Sequence, residues 1–305
     1  MKKSSEKSNL SKISKFIDSE RGLRASAVNA TEVVKHMQSI QNTLPVPTML
    51  VGRSMVAATL LASQLKDGEV ISLYFRGDGP IEMVFAEADF EGGVRGYTPQ
   101  PQLNLPLKSG KLDLSSAIGQ GFLNVVRSKT GSHAPYRGSV EIQTGEVGED
   151  VAYYLQQSEQ RRSLVSLGVK INSFGQVLSA GGVIIELLPD ADPELATVLT
   201  EQLAKAGSLS ETVEKGATNQ EIVNMYLPGF RLEELEHPYF LNYSCRCTRA
   251  RLKRSLALLP VSDLDQIIER KEKVDAKCEF CGRSFSLSYV EAKKIRDKKY
   301  RESLN

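Results

Sequence analysis

Cys245, Cys247, Cys278 and Cys281 are the only cysteines in this 305-residue chain, and they fall in its last fifth. They form a Cys-x-Cys pair and a Cys-x-x-Cys pair with a thirty-residue spacer between them. Two close pairs held apart by a loop can present four thiolates to one metal ion. Cys278-Glu279-Phe280-Cys281-Gly282 has the form of a zinc knuckle: two thiolates across a tight turn, followed by a glycine that relieves crowding near the sulfurs. For Cys245-Arg246-Cys247, an extended strand would turn both sulfurs to one side, because residues i and i+2 share a face. Four thiolates at about 2.3 Å close a tetrahedral zinc shell and leave no position for water, which argues against hydrolytic zinc chemistry. An iron–sulfur cluster needs the same ligands; a zinc ribbon-like staple fits a small tail better. Ligand and oxidisable atom are here the same sulfur, so the site can sense oxidants as well as hold a fold. A disulfide framework for the first 244 residues, which lack cysteine, is excluded.

The neighbours of these cysteines are basic. Arg246, Arg249, Lys253 and Arg254 would stabilise thiolates, or form a phosphate-binding face, or simply be solvated. His36, His133 and His237 are far apart in sequence and read as surface or structural residues. His237, eight residues before Cys245, is the one candidate to support the metal site from behind. No nucleophile elbow, phosphate loop, dinucleotide fingerprint or HExxH run is present. The expectation is a protein that is not an enzyme.

Three segments must position this site. The tail, 242–305, should carry a helix over Ser262–Arg270, opened by Ser262-x-x-Asp265. A second, basic helix should open at the capping box Ser288-Tyr-Val-Glu291 and run to about Lys299. A tail this small cannot rely on its own core. Metal binding would therefore supply much of its folding free energy, with roughly 10–16 kcal/mol available from such sites. The body, 1–189, reads as an α+β domain built on antiparallel sheet. It has one largely buried helix over Thr48–Leu65. Strands are predicted near 70–75, 81–87, 93–97, 122–128, 137–143, 164–171 and 177–188, and a short helix over 149–157. Between body and tail, 190–241 should be a helical linker. Asp192-Pro193-Glu194 reads as a helix start with Asp192 as its cap, followed by the stripe Leu195, Val198, Leu199 and Leu203. A second short helix is predicted over 219–227, before Pro228-Gly229. Helices this short are marginal alone and need a surface to lie on.

Composition agrees with a globular protein: 41% hydrophobic, 25% charged, no tryptophan. The net charge of +2 gives no general affinity for nucleic acid. Charge is unevenly placed: 190–241 carries 3 Lys and Arg against 10 Asp and Glu, whereas 242–305 carries 16 against 9. Opposite fields of this kind can draw two units together through a salt-sensitive interface. Residues 1–14 are rich in Lys and Ser and lack an apolar core, so they read as a solvated terminus and not as a secretory signal. The longest apolar stretches, near 55–62 and 183–188, are too short to span a bilayer. A cytoplasmic setting follows, where close cysteine pairs usually mean metal or redox chemistry. Two other readings stay open. A zinc-ribbon nucleic-acid binder draws on the basic tail. A thiol oxidoreductase would use Cys278-x-x-Cys281, though without a thioredoxin-like setting.

The chain resembles the 33 kDa chaperonin family, the redox-regulated heat-shock holdases of bacteria, over roughly residues 16–300. The resemblance rests on the two cysteine pairs and on Gly77-Asp-Gly-Pro80, Ser158-Glu-Gln160 and Ala180-Gly-Gly-Val-Ile-Ile-Glu-Leu-Leu-Pro189, which occur in the family's order. Thr248, Ala250 and Phe285 depart from residues frequent there. The resemblance implies a body, a metastable linker and a C-terminal domain that holds one Zn2+ through Cys245, Cys247, Cys278 and Cys281 when reduced. It implies that oxidation forms Cys245–Cys247 and Cys278–Cys281 disulfides, releases zinc and unfolds the linker. The protein would then form a homodimer that holds unfolding client proteins without ATP. Nucleic acid and membrane are not among the implied partners.

Overall fold

The chain divides after Ser244 into two units, and this computed structural model describes residues 11–129, 134–235 and 239–303. The first unit begins with β1 (Lys12–Asp18), β2 (Leu23–Asn29), α1 (Thr31–Gln41) and α2 (Pro45–Ala62). It continues through β3 (Glu69–Gly77), β4 (Met83–Asp89), β5 (Gly93–Tyr97), α3 (Leu114–Ile118), β6 (Gly121–Lys129) and β7 (Tyr136–Glu141). Then come α4 (Val147–Glu159), β8 (Ser163–Ile171), β9 (Val177–Leu187), α5 (Glu194–Lys205), α6 (Leu209–Glu214) and α7 (Asn219–Tyr226). Three two-residue strands close it: β10 (Glu233–Glu234), β11 (Tyr239–Phe240) and β12 (Asn242–Tyr243).

Two sheets share α2. One runs β10-β1-β2-β9-β8, with β11 also on β1; the other runs β12-β5-β4-β3-β6-β7. All pairings are antiparallel except β12 on β5. The α+β, antiparallel reading therefore holds. Apolar and small residues occur all round α2, so it has no solvent face to spare, and 15 of its 18 residues are buried. It has the expected length but begins and ends three residues earlier, and it would span a membrane by length alone, but it is the central core helix. Leu50, Met55 and Val56 of α2 share one core with Leu73 and Phe75 of β3, Val84 of β4 and Ile184 of β9.

The Ala180–Pro189 motif has a packing cause. A Cβ on Gly182 would lie 2.6 Å from Val56 of α2, and one on Gly181 would lie 2.8 Å from Val213 of α6. Successive strand residues face opposite sides, so the glycine pair lets one helix close on each face of β9. Farther along, Glu186 is 2% exposed and pairs with Arg24 at 2.9 Å and Arg161 at 2.7 Å. Arg161 also pairs with Glu159 of the Ser-Glu-Gln motif, so these two body motifs meet in one half-buried ion network.

Helices α5 to α7, residues 194–226, lie on the outer face of the first sheet. Leu209, Val213, Ile222, Val223, Tyr226 and Leu227 are buried there against Phe16, Leu23, Ala25, Val183 and Ile185. The Tyr226 and Ser166 hydroxyls are 2.7 Å apart. The anchoring is uneven, because α5 buries only Leu199 and leaves Leu203 41% exposed. Asp192 sits one residue outside the cap of α5: Pro193 is the cap, and Asp192 accepts from the Glu194 N–H at 2.9 Å. The α6 helix was not anticipated between Gly207 and Gly216. It forms because Ser208 caps it and Leu209 and Val213 reach the sheet. Strand β1 also begins inside the segment expected to be solvated, because Ile13 and Phe16 are 1% exposed. Residues 1–10 lie outside the described residues.

The second unit holds α8 (Arg249–Leu256), α9 (Val261–Glu269), the hairpin β13 (Val274–Lys277) and β14 (Ser284–Leu287), and α10 (Tyr289–Ser303). Its fully buried core is Leu256, Leu264, Leu287 and Ala292. Helix α9 starts at the Pro260 cap, so Ser262 lies within its first turn and does not cap it.

Candidate metal centre

The four cysteines converge in the second unit. Their sulfurs all lie within 4.8 Å of one another, and all four side chains are half-buried and free of disulfides. The Cys245 and Cys278 sulfurs are 3.6 Å apart; those of Cys247 and Cys281 are 3.3 Å apart. A tetrahedral zinc–thiolate shell with bonds of about 2.3 Å has sulfur–sulfur edges of about 3.8 Å. A cluster of this size and donor chemistry suits one zinc ion.

Local structure explains the convergence. The β13–β14 register pairs Lys277 with Ser284 and so places Cys278–Cys281 at the hairpin tip. The Gly282 N–H donates to the Cys278 carbonyl at 2.8 Å, and the Cys278 N–H donates to the Arg283 carbonyl at 2.9 Å. Gly282 has φ 67°, the left-handed conformation glycine adopts freely. The knuckle reading is correct in its turn. Cys245–Cys247 is not a strand: it is an irregular stretch between β12 and α8. Thr248 ends it by capping α8, its hydroxyl accepting from the Arg251 N–H at 3.2 Å. The Arg251 guanidinium donates to the Arg246 carbonyl at 3.3 Å, between the two sulfurs of that pair in sequence.

The sulfurs differ in acidity. Burial pushes the Cys245 and Cys247 thiols up. Burial opposes ionisation of Cys281 too, yet its thiolate accepts from the Arg283 N–H and from the Cys247, Cys245 and Cys278 thiols, and its pKa is lowered.

Two of the nearby cations are engaged elsewhere. Arg249 and Lys253 both reach Glu291 of α10, at 2.7 and 2.9 Å. The Lys253 ammonium and the Ser288 N–H, with the Arg249 charge behind them, draw the Glu291 carboxyl down to about 2. The capping box is real: Glu291 N–H donates to the Ser288 hydroxyl at 3.4 Å, and the Ser288 N–H donates back to the carboxylate at 3.1 Å. Glu291's reach to α8 was not foreseen. The signal was present in Arg249 and Lys253, which are four apart and so share a helix face. His36 is exposed on α1 with its ring 5.3 Å from Tyr243. His133 and His237 lie outside the described residues.

A model of the Hsp33 protein family matches residues 11–288. The 33 kDa chaperonin of Symbiobacterium thermophilum is 37% identical over 278 residues, 90% of this chain and 92% of that protein. That of Bacillus licheniformis is 35% identical over 90% of this chain and 95% of its own. The crystal structure of the Thermotoga maritima 33 kDa chaperonin, a heat shock protein 33 homolog, superposes with a TM-score of 0.83. It shares 28% identity and covers 95% of this chain and 99% of that one.

Proposed function

Since this chain belongs to the Hsp33 family of 33 kDa chaperonins, we propose that it is a redox-regulated, ATP-independent holdase of the cytoplasm, with no catalytic step of its own. The observation that carries the reading is the gathering of all four sulfurs within 4.8 Å. Cys245, Cys247, Cys278 and Cys281 hold one Zn2+ in the reduced protein. Bound there, the ion would cross-link the stretch before α8 to the tip of the β13–β14 hairpin.

Oxidation acts on the ligands themselves. Cys245 and Cys247 lose two electrons and form one disulfide, and Cys278 and Cys281 form another. Each disulfide consumes one peroxide, which accepts two electrons and two protons and leaves as two water molecules. With the thiolates consumed, the second unit loses its cross-link, and four buried residues are a poor core to fold on. Segment 190–241 then leaves the first sheet, the protein forms homodimers, and exposed apolar surface holds unfolding clients.

Metal analysis of the reduced protein should give about one zinc per chain, falling sharply in Cys278→Ser. Peroxide treatment should release it and switch on suppression of light scattering by a heat-unfolding test protein, with no nucleotide added. Full zinc retention in Cys278→Ser, or equal suppression by reduced and oxidised protein, would refute the reading.

A further inference from the structure

Helices α8 and α10 leave the two halves of the cysteine cluster. The first starts two residues past Cys247, and the second starts after β14, eight residues past Cys281. Both are cationic. Helix α8 carries Arg249, Arg251, Lys253 and Arg254 and no carboxylate. Through Arg301, α10 carries six Lys and Arg against Glu291 and Asp297. Asp297 is bonded to Arg296 of its own helix. Glu291 is different: one oxygen accepts from Arg249 at 2.7 Å and the other from Lys253 at 2.9 Å. The oxygen facing Arg249 also accepts from the Ser288 N–H at 3.1 Å and hydroxyl at 3.3 Å, which fixes the carboxylate at the start of α10. The apolar contact behind it is small, with Leu256 from α8 and Ala292 from α10 the fully buried side chains.

We propose that Glu291 is an electrostatic latch, a positioning residue that holds the exit helix of the first cysteine pair against that of the second. It thereby sets how fast the four-sulfur cluster opens. The inference rests on the zinc-holding reading of those cysteines. Without the carboxylate, two like-charged helices face each other over a minimal core. Each opening of α8 would carry Cys247 away from Cys281. Glu291 touches no sulfur, so its removal leaves the ligand set intact and changes the ease of separation. The device is a threshold setting: a firmer latch demands more oxidant or more heat before the cluster fails.

The full-length protein tests this with Glu291→Gln, which keeps the shape of the capping residue and removes its charge. Zinc release is followed with a chromogenic chelator, with and without peroxide. We expect unchanged stoichiometry and release roughly three- to tenfold faster, the range for two half-exposed ion pairs lost together. The difference should shrink in 1 M salt, where charges are screened within about 3 Å; loss of mere packing would not respond in this way. The pair Glu291→Lys with Lys253→Glu should recover part of the wild-type rate. If Glu291→Gln binds no metal at all, Arg249→Gln supplies the milder perturbation and should show the same salt-sensitive acceleration. Wild-type release rates in both variants, with one zinc bound, would overturn the latch and leave the zinc reading standing. A wild-type protein that binds no metal would overturn both.

Discussion

Weakening the grip of α6 and α7 on the first sheet should make the reduced protein behave as though oxidised. Ile222→Ala is the sharpest perturbation. Its side chain is 0% exposed and packs in the cluster that joins α6 and α7 to β1, β2, β8 and β9. Truncating a buried isoleucine costs about 2–5 kcal/mol. Even the low end shifts the docking equilibrium roughly 30-fold toward release. Leu203→Ala is the matched control, since Leu203 is 41% exposed and its truncation should cost only a few tenths of a kcal/mol, ~0.5 at most. Hydrogen exchange by mass spectrometry should show faster exchange over 194–227 in reduced, zinc-loaded Ile222→Ala. Light scattering should show chaperone activity without oxidant. Two results would refute the reasoning. Faster exchange over 194–227 with no gain in activity would mean that undocking is not the switch. Faster exchange spread evenly through 11–244 would mean that α6 and α7 open only with the whole unit.

Two further outcomes test the scaffold. Asp150 is fully buried and accepts from the backbone N–H groups of Gln143 at 2.8 Å, Thr144 at 3.1 Å and Gly145 at 3.1 Å. Asp150→Ala would orphan all three and should destabilise the first unit by about 3 kcal/mol or more, read as a lower urea midpoint; an unchanged midpoint would count against that role. Gly182→Ala should cost about 1–3 kcal/mol by overpacking against α2, and a thermal midpoint equal to wild type would show that Val56 can yield.

Much of the fold was legible because its periodicities are strong. The near-continuous apolar run of 183–187, bounded by glycines and Pro189, and the apolar run of α2 leave few other readings. Strands β1 and β2 escaped because Lys12, Lys15 and Arg24 interrupt their apolar residues, and only the partner strands reveal which side is inside. Helix α6 escaped for a related reason: six residues cannot advertise a period, and its two anchors matter only once Gly181 has opened a place for them. The cysteine cluster was legible from spacing alone. Its surroundings were not, because a carboxylate in a capping box looks complete within its own helix.

The linker was expected to be marginal as a whole, from short helices and net negative charge. Its burial distributes that weakness. Helices α6 and α7 place Leu209, Val213, Ile222, Val223 and Tyr226 at or below 5% exposure, while α5 contributes Leu199 alone at that level. Helix α5 lies over an open groove that Leu199 and Leu203 share with Tyr153, Leu164 and Leu187. Local opening follows the number of buried contacts, so α5 should detach first and α7 last. Release of this segment would then be graded: α5 uncovers the groove at low cost, and α6 and α7 expose the larger apolar face only under stronger unfolding pressure. Exchange measured along 194–227 in the wild-type reduced protein should therefore fall from α5 to α7. A flat profile would mean that the three helices leave together, and that burial per helix does not set the order.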